Sequence, residues 1–187
     1  MHNVELKAEL RDIELARTIC SVVGATHAET LDQTDTYYKV PSGRLKRREC
    51  TGHDTEYIYY DRADRAEPRL SHYVIYSENA ARERFGAERL PVVAIVKKKR
   101  EVYLVGPVRI HLDVVDHLGT FLEFEAVVSR AHNVRKCHEL VAALREHFAS
   151  VMGEPISAGY ADLIQTEANL NAQDADPIED PSGSSDP

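Results

Sequence analysis

Charged side chains recur at every second position in several short segments of the chain. The segment HNVELKAEL (residues 2–10) sets Glu5 and Lys7 between apolar residues. Because side chains alternate between the two faces of a β-strand, each such segment, if extended, gathers its charges on one face. The further residues with this spacing are Arg44, Lys46 and Arg48 in GRLKRRECT, Tyr60 and Arg62 in EYIYYDRAD, Lys98 and Arg100 in VAIVKKKRE, Arg109, His111 and Asp113 in VRIHLDVV, and Glu123 and Glu125 in FLEFEA. Converging bases would bind a polyanion, and converging carboxylates would bind a metal cation.

The alternation has two interpretations. An antiparallel sheet with one solvated face produces the same pattern. Here, however, GRLKRRECT and VAIVKKKRE supply bases on this face and FLEFEA supplies acids, so the two signs are not evenly mixed. If the strands curl into a closed barrel, alternate residues fill its interior, where unpaired charges are costly without a charged ligand.

The elements that must position these residues are mostly strands. Short connections with turn residues favour an antiparallel arrangement. Three helices are predicted, beginning at the capping residues Asp12, Ser77 and Asn133. The strand patterns cover residues 3–10, 35–40, 44–51, 55–62, 69–76, 91–105, 108–114 and 120–128. The predicted fold class is therefore α+β, with about eight antiparallel strands and helices packed outside. On closure, Lys46, Arg48, Lys98 and Arg100 should point inward, and Leu45, Val96 and Ile110 should pack outside.

Composition bounds the remaining possibilities. A chain of 187 residues suits one domain, here 1–166, followed by an acidic tail, 167–187, that holds six acids and no Lys or Arg and is predicted to be disordered. Three widely spaced cysteines without a CxxC pair favour a reduced, cytoplasmic protein without zinc. No apolar run suggests a membrane span, no signal peptide is visible, and a pI near 5.6 argues against nucleic-acid binding. P-loop, dinucleotide, GxSxG and HExxH motifs are absent.

The charged segments resemble the CYTH superfamily, the triphosphate tunnel metalloenzymes, and within it the class IV adenylate cyclase group. The resemblance extends in order from residue 3 to residue 164. It rests on Asn3-Val4-Glu5-Leu6-Lys7, Leu45-Lys46-Arg47-Arg48, Tyr60-Asp61-Arg62, Ser71-His72-Tyr73, Lys98-Lys99-Arg100, Asp113, Leu118–Glu125 and Tyr160 in GYADLI. One position departs from the family's Glu-x-Glu-x-Lys signature, because Asn3 replaces the first Glu and removes one anionic ligand.

The resemblance implies an eight-stranded antiparallel barrel, the triphosphate tunnel, that binds a triphosphate together with Mg²⁺ or Mn²⁺. Phosphate oxygens would be bound by Lys7, Lys46, Arg48, Arg62, Lys98, Arg100 and Arg109. The metal would be held by Glu5, Glu123, Glu125 and Asp113. No general base stands out, and a homodimer is compatible with the resemblance.

Three functions stay open. The first is an adenylate cyclase that converts ATP to 3′,5′-cyclic AMP and pyrophosphate. The second is an inorganic or organic (thiamine-type) triphosphatase, since a fold alone does not choose between these reactions. The third is a non-catalytic polyphosphate- or nucleotide-binding module, which the loss of a carboxylate at Asn3 would favour.

Overall fold

The computed structural model describes residues 1–61 and 67–174. Arg62, one of the predicted phosphate ligands, lies outside the described residues. In chain order the elements are β1 His2–Leu10, α1 Ile13–Val22, β2 Thr26–Tyr38, β3 Arg44–Cys50, β4 Glu56–Asp61, β5 Arg69–Tyr76, α2 Glu78–Phe85, a short 3₁₀ turn Ala87–Arg89, β6 Val92–Val105, β7 Val108–Val115, β8 Gly119–Val127, α3 Val134–His147, β9 Met152–Pro155 and α4 Tyr160–Asp174.

The strands form a closed antiparallel barrel. Their order is β5-β4-β3-β2-β6-β7-β8-β1, and a further pairing between β1 and β5 closes the ring. At the closure, Glu5 lies opposite Arg69 of β5 on one side and opposite Glu125 of β8 on the other. β9 adds a ninth strand to the last residues of β1. The predicted fold class, an α+β protein with an eight-stranded barrel and helices outside it, is confirmed.

The helices begin where the capping residues predict. Asp12, Ser77 and Asn133 each accept a hydrogen bond from the backbone N–H three residues later. The apolar faces of α1 and α3 pack with the outward residues of β1, β7 and β8 in one core that contains Ile110 and Phe124. A second outer core places Leu45 beside Ala81 of α2. On β1, β7 and β8, inward charges therefore alternate with outward residues that anchor the strands to the first of these cores.

The structure differs from the sequence-based expectations in several elements. β2 begins at Thr26 instead of residue 35, because polar residues occupy both of its faces and leave no apolar alternation to detect. α4, Tyr160–Asp174, was not predicted. The domain boundary at residue 166 and the disorder of the acidic tail stay predictions, since residues 175–187 lie outside the described residues.

Val96 does not pack outside. It shares the inward face of Lys98, and it is buried with Tyr37, Phe121 and Tyr160. The barrel interior is therefore apolar at this end and charged beside it. Within the described residues, no helix is long and apolar enough to cross a membrane.

Candidate functional site

The barrel encloses a cavity of about 370 Å³ that brings the predicted bases and acids together. Of the predicted site residues, those that line it are Glu5, Lys7, Lys46, Arg48, Lys98, Arg100, Arg109, Glu123 and Glu125. The four cations expected to point inward together, on β3 and β6, are among them. Asp113 is the described member of the predicted set that does not line the cavity.

A buried carboxylate that the sequence analysis missed orients three of the bases. Asp35 of β2 is fully buried, and it accepts hydrogen bonds from Arg48 Nε and Nη2 at 3.0 and 3.1 Å. Lys46 Nζ lies 2.9 Å and Lys98 Nζ 3.0 Å from the same carboxylate. Burial alone would raise the pKa of Asp35, but the charges of the three bases hold it well below its ordinary value. Asp35 therefore stays ionised and fixes where the bases converge.

Asp113 plays the corresponding part for Arg100. The guanidinium donates from Nε and Nη2 to the two Asp113 oxygens at 2.7 and 2.6 Å. The Tyr160 hydroxyl donates to Oδ2 at 2.7 Å. Burial opposes ionisation, but Arg100 lowers the pKa of Asp113 to about 2. Because both oxygens already accept hydrogen bonds from the protein, the geometry favours Asp113 as the residue that holds Arg100. Its role as a metal ligand stays a prediction.

Three carboxylates face the bases across the cavity. Glu5 accepts a hydrogen bond from Arg69 Nε at 2.9 Å. Glu123 lies 3.0 Å from Arg100 Nη2 and 3.4 Å from Lys7 Nζ. Burial opposes the charge of Glu123, but Lys7, His111 and Arg100 hold its pKa well below the ordinary value. Glu125 lies 3.7 Å from Arg109, which is half exposed at the mouth. These acids are therefore poised to accept a cation.

The residues present fit a divalent metal ion. Ligand atoms of His111, Glu123 and Glu125 all lie within 4.8 Å of one another. Asn3 Oδ1 is buried, lines the same cavity, and has no hydrogen-bond partner among the described residues. An amide oxygen can coordinate, so Asn3 can contribute a neutral oxygen where the signature has a carboxylate. Oxygen ligands of this kind suit Mg²⁺ and Mn²⁺.

Lys46 has an unusual proton affinity. Burial and the charges of Arg48 and Lys98 outweigh the attraction of Asp35 and lower the pKa of Lys46 to about 7. The rings of Tyr37 and Tyr60 also lie near its ammonium group, at 5.6 and 5.9 Å. A bound polyanion would oppose both the repulsion and the loss of solvation, so binding should raise this pKa again.

Tripolyphosphate binding at pH 8 should therefore transfer up to about one proton more to the wild type than to Lys46→Arg. The arginine keeps the charge of the side chain but does not titrate in this range. Calorimetry in two buffers of different ionisation enthalpy measures the proton uptake of each protein, and the difference cancels protonation of tripolyphosphate itself. Equal uptake by the two proteins would contradict the lowered pKa of Lys46.

Tyr160 also lines the cavity, although no role was predicted for it from the sequence. Tyr160 begins α4, and the Lys7 ammonium lies 3.8 Å above the centre of its ring. Lys98 lies over the same ring at 5.3 Å. Both ammonium groups thus contact an aromatic face that stabilises cations without neutralising them.

Comparison with known proteins gives a family and a set of similar folds. A family model, the CYTH domain, matches residues 1–151. The PH1012 protein of Pyrococcus horikoshii is 21% identical, with a TM-score of 0.70 over 86% of this chain and 98% of that chain. A "putative adenylate cyclase" of Vibrio parahaemolyticus is 18% identical, with a TM-score of 0.67 over 88% and 98%. A "putative adenylyl cyclase" of Hippeastrum, described as having a dominant triphosphatase activity, is 14% identical, with a TM-score of 0.60 over 88% and 96%. At these identities the structures show a common fold, and no curated protein matches the sequence.

Proposed function

The chain belongs to the CYTH family, and on that premise we propose that it is a metal-dependent enzyme acting on a triphosphate, with ATP cyclisation as the leading reaction. The observation that carries the proposal is the convergence of Lys46, Arg48 and Lys98 on Asp35 inside a closed barrel. Asp35 holds these three bases, the phosphate clamp, in place before any ligand binds. Little side-chain entropy is therefore lost on binding.

The number of cations favours a chain of phosphates over a single one. Lys7 and Arg100 line the cavity together with the three bases held by Asp35. Two fully buried carboxylates that do not line it, Asp35 and Asp113, neutralise part of this charge. The remaining positive charge faces the cavity, where Arg can bind phosphate oxygens in pairs and Lys can act as a point charge.

An apolar wall favours an organic triphosphate over an inorganic one. Ile58 and Tyr60 of β4 and Tyr73 and Ile75 of β5 line the cavity beside the bases. A nucleobase can bury its faces against such side chains, whereas inorganic tripolyphosphate offers nothing apolar to contact. The wall therefore supports a nucleoside triphosphate with its phosphates directed at β3 and β6.

In the proposed reaction the 3′-hydroxyl of ATP attacks the α-phosphorus in line, and pyrophosphate leaves. Lys46, Arg48 and Lys98 would hold the departing phosphates, and Arg100, fixed by Asp113, would neutralise charge that develops in the transition state. Glu5, Glu123 and Glu125 would hold Mg²⁺ or Mn²⁺, which would act as a Lewis acid when bound. No described residue is assigned as general base.

A triphosphatase is the second candidate. The same clamp could present the γ-phosphorus to water, and the similar Hippeastrum protein is described as having a dominant triphosphatase activity. A module that binds the triphosphate without turnover is the third candidate, because Asn3 replaces one carboxylate of the metal-binding signature.

Product analysis separates the three functions. The purified chain is incubated with Mn²⁺ or Mg²⁺ and with either ATP or tripolyphosphate, and the products are resolved by chromatography. We expect cyclic AMP and pyrophosphate from ATP. Orthophosphate as the product would favour the triphosphatase, and binding without any product would favour the binding module. Activity that is unchanged by a chelator would contradict the metal-dependent proposal.

A further inference from the structure

One group beside the carboxylates is a nitrogen donor. His111 lies on the inward face of β7, directly opposite Glu123 of β8. Its side chain is buried, and Nδ1 lies 3.4 Å from Glu123 Oε2. That separation is longer than the usual N–H···O hydrogen bond, so the contact between the two side chains is a loose one.

The loose contact is not needed to neutralise Glu123. Arg100 already lies 3.0 Å from the same oxygen, and Lys7 lies beside the other one. Glu123 therefore has a cationic neighbour at each oxygen without His111. A nitrogen donor held beside this carboxylate can serve a bound cation together with it.

The spacing of the donor atoms suits a single cation. Opposite ligands of a small divalent ion with bonds of about 2.1 Å are separated by about 4.2 Å. The ligand atoms of His111, Glu123 and Glu125 all fall within 4.8 Å of one another, so minor rotamer adjustment brings them to one ion.

A separate observation concerns the cavity lined by Glu123 and Glu125, which His111 approaches only through its contact with Glu123. Asn3 Oδ1 is a buried acceptor without a partner among the described residues, and it lines the cavity that Glu123 and Glu125 line. A buried polar atom left without a partner costs free energy, and a cation in this cavity would satisfy it.

We propose that His111 is a ligand of the metal site and that, through this nitrogen, the site binds Mn²⁺ in preference to Mg²⁺. Mn²⁺ also favours oxygen donors, but as a first-row transition ion it accepts an imidazole nitrogen more readily than Mg²⁺, which gives up its water reluctantly. Compared with the signature of the family, the chain has a neutral oxygen at Asn3, which weakens the attraction for either ion and leaves the nitrogen donor to discriminate between them. The inference rests on the metal-dependent site in the proposed function, and it adds the identity of one ligand and of the ion.

The direct test is electron spin echo spectroscopy of Mn²⁺ bound to the full-length chain in the presence of tripolyphosphate. A coordinated imidazole gives a ¹⁴N modulation, and labelling histidine rings with ¹⁵N should convert it to a ¹⁵N signal. His111→Gln should abolish the modulation, whereas His147→Gln should retain it, since His147 is exposed at the end of α3. The measurement on the wild type needs no variant to fold.

Titration calorimetry supplies the second readout. Mn²⁺ should bind the wild type at least roughly tenfold more tightly than Mg²⁺ does, and His111→Gln should lose about 10–100-fold in Mn²⁺ affinity while Mg²⁺ affinity changes little. A wild type that binds Mn²⁺ without histidine modulation, or that binds both ions equally, would overturn the role of His111 and leave the proposed function standing. If neither ion binds, the metal-dependent function itself fails, and this inference fails with it.

Discussion

Replacing Glu123 with Gln should lower turnover by about 10²–10³-fold, the range found when one preorganised electrostatic group is removed from an active site. The amide keeps the size and most of the hydrogen bonding of the side chain but removes the charge that faces Lys7 and Arg100. Binding of tripolyphosphate in the presence of a chelator should persist or become tighter, because a carboxylate that repels the anion is gone. This opposite response of turnover and anion binding is what a metal-ligating role requires.

Glu154→Gln is the matched control. Glu154 is exposed on β9, so the same chemical change there should leave both measurements unaltered. Steady-state kinetics across a series of Mn²⁺ concentrations would show whether excess metal restores part of the activity of Glu123→Gln. If that variant keeps the wild-type metal dependence, Glu123 only balances the charge of the bases, and other residues must bind the metal.

Replacing Asp35 with Asn should lower the free energy of unfolding by about 3–5 kcal/mol, the usual cost of removing one partner from a buried ion pair. The change leaves Lys46, Arg48 and Lys98 facing one another without their shared counter-ion. Tripolyphosphate should recover part of the loss, because a bound polyanion takes over the role of the missing charge.

The pH dependence of this effect has a fixed sign. The pKa of Asp35 is lower in the folded state than in the unfolded state. Ionised Asp35 therefore adds to the free energy of unfolding above its unfolded pKa of about 3.9. This stabilisation is lost as the pH falls through the pKa of the folded state. Urea unfolding at pH 7 and at pH 3 should show a smaller difference between wild type and variant at the lower pH. Asp32→Asn, on the exposed face of the same strand, should change stability little. Equal stability of Asp35→Asn and wild type at pH 7 would refute the buried role of Asp35.

The bases were predictable because their strands alternate cleanly. In GRLKRRECT and VAIVKKKRE the inward charges stand between outward residues, so a period of two identifies their face without knowledge of the partner strands. The same rule, applied strictly, also puts Val96 inside with Lys98, and the expectation of an outward Val96 was a misapplication of it. A mixed interior, apolar at one end, was not anticipated.

The carboxylates behind the bases were harder to find. Asp35 lies in THAETLDQTDTYY, where polar residues occupy both faces and conceal the alternation of Gln33, Asp35 and Tyr37. Its role depends on the pairing of β2 with both β3 and β6, which no local pattern specifies. The Tyr160 hydroxyl at the start of α4 donates to Asp113 of β7, 47 residues earlier in the chain. Only the tertiary structure reveals this contact.

The pairing of β1 also has a consequence for the folding of the protein during its synthesis on the ribosome. β1 finds its partners in β5, β8 and β9, all of which are synthesised later. Until β8 emerges, the strand cannot pair along both edges, and its apolar face, with Val4, Leu6 and Ala8, lacks the residues of β7, β8 and α3 that complete its core. Such a strand is a template for pairing with neighbouring chains. The charges at Glu5 and Lys7 interrupt its apolar run, and we expect them to oppose that association in the nascent chain.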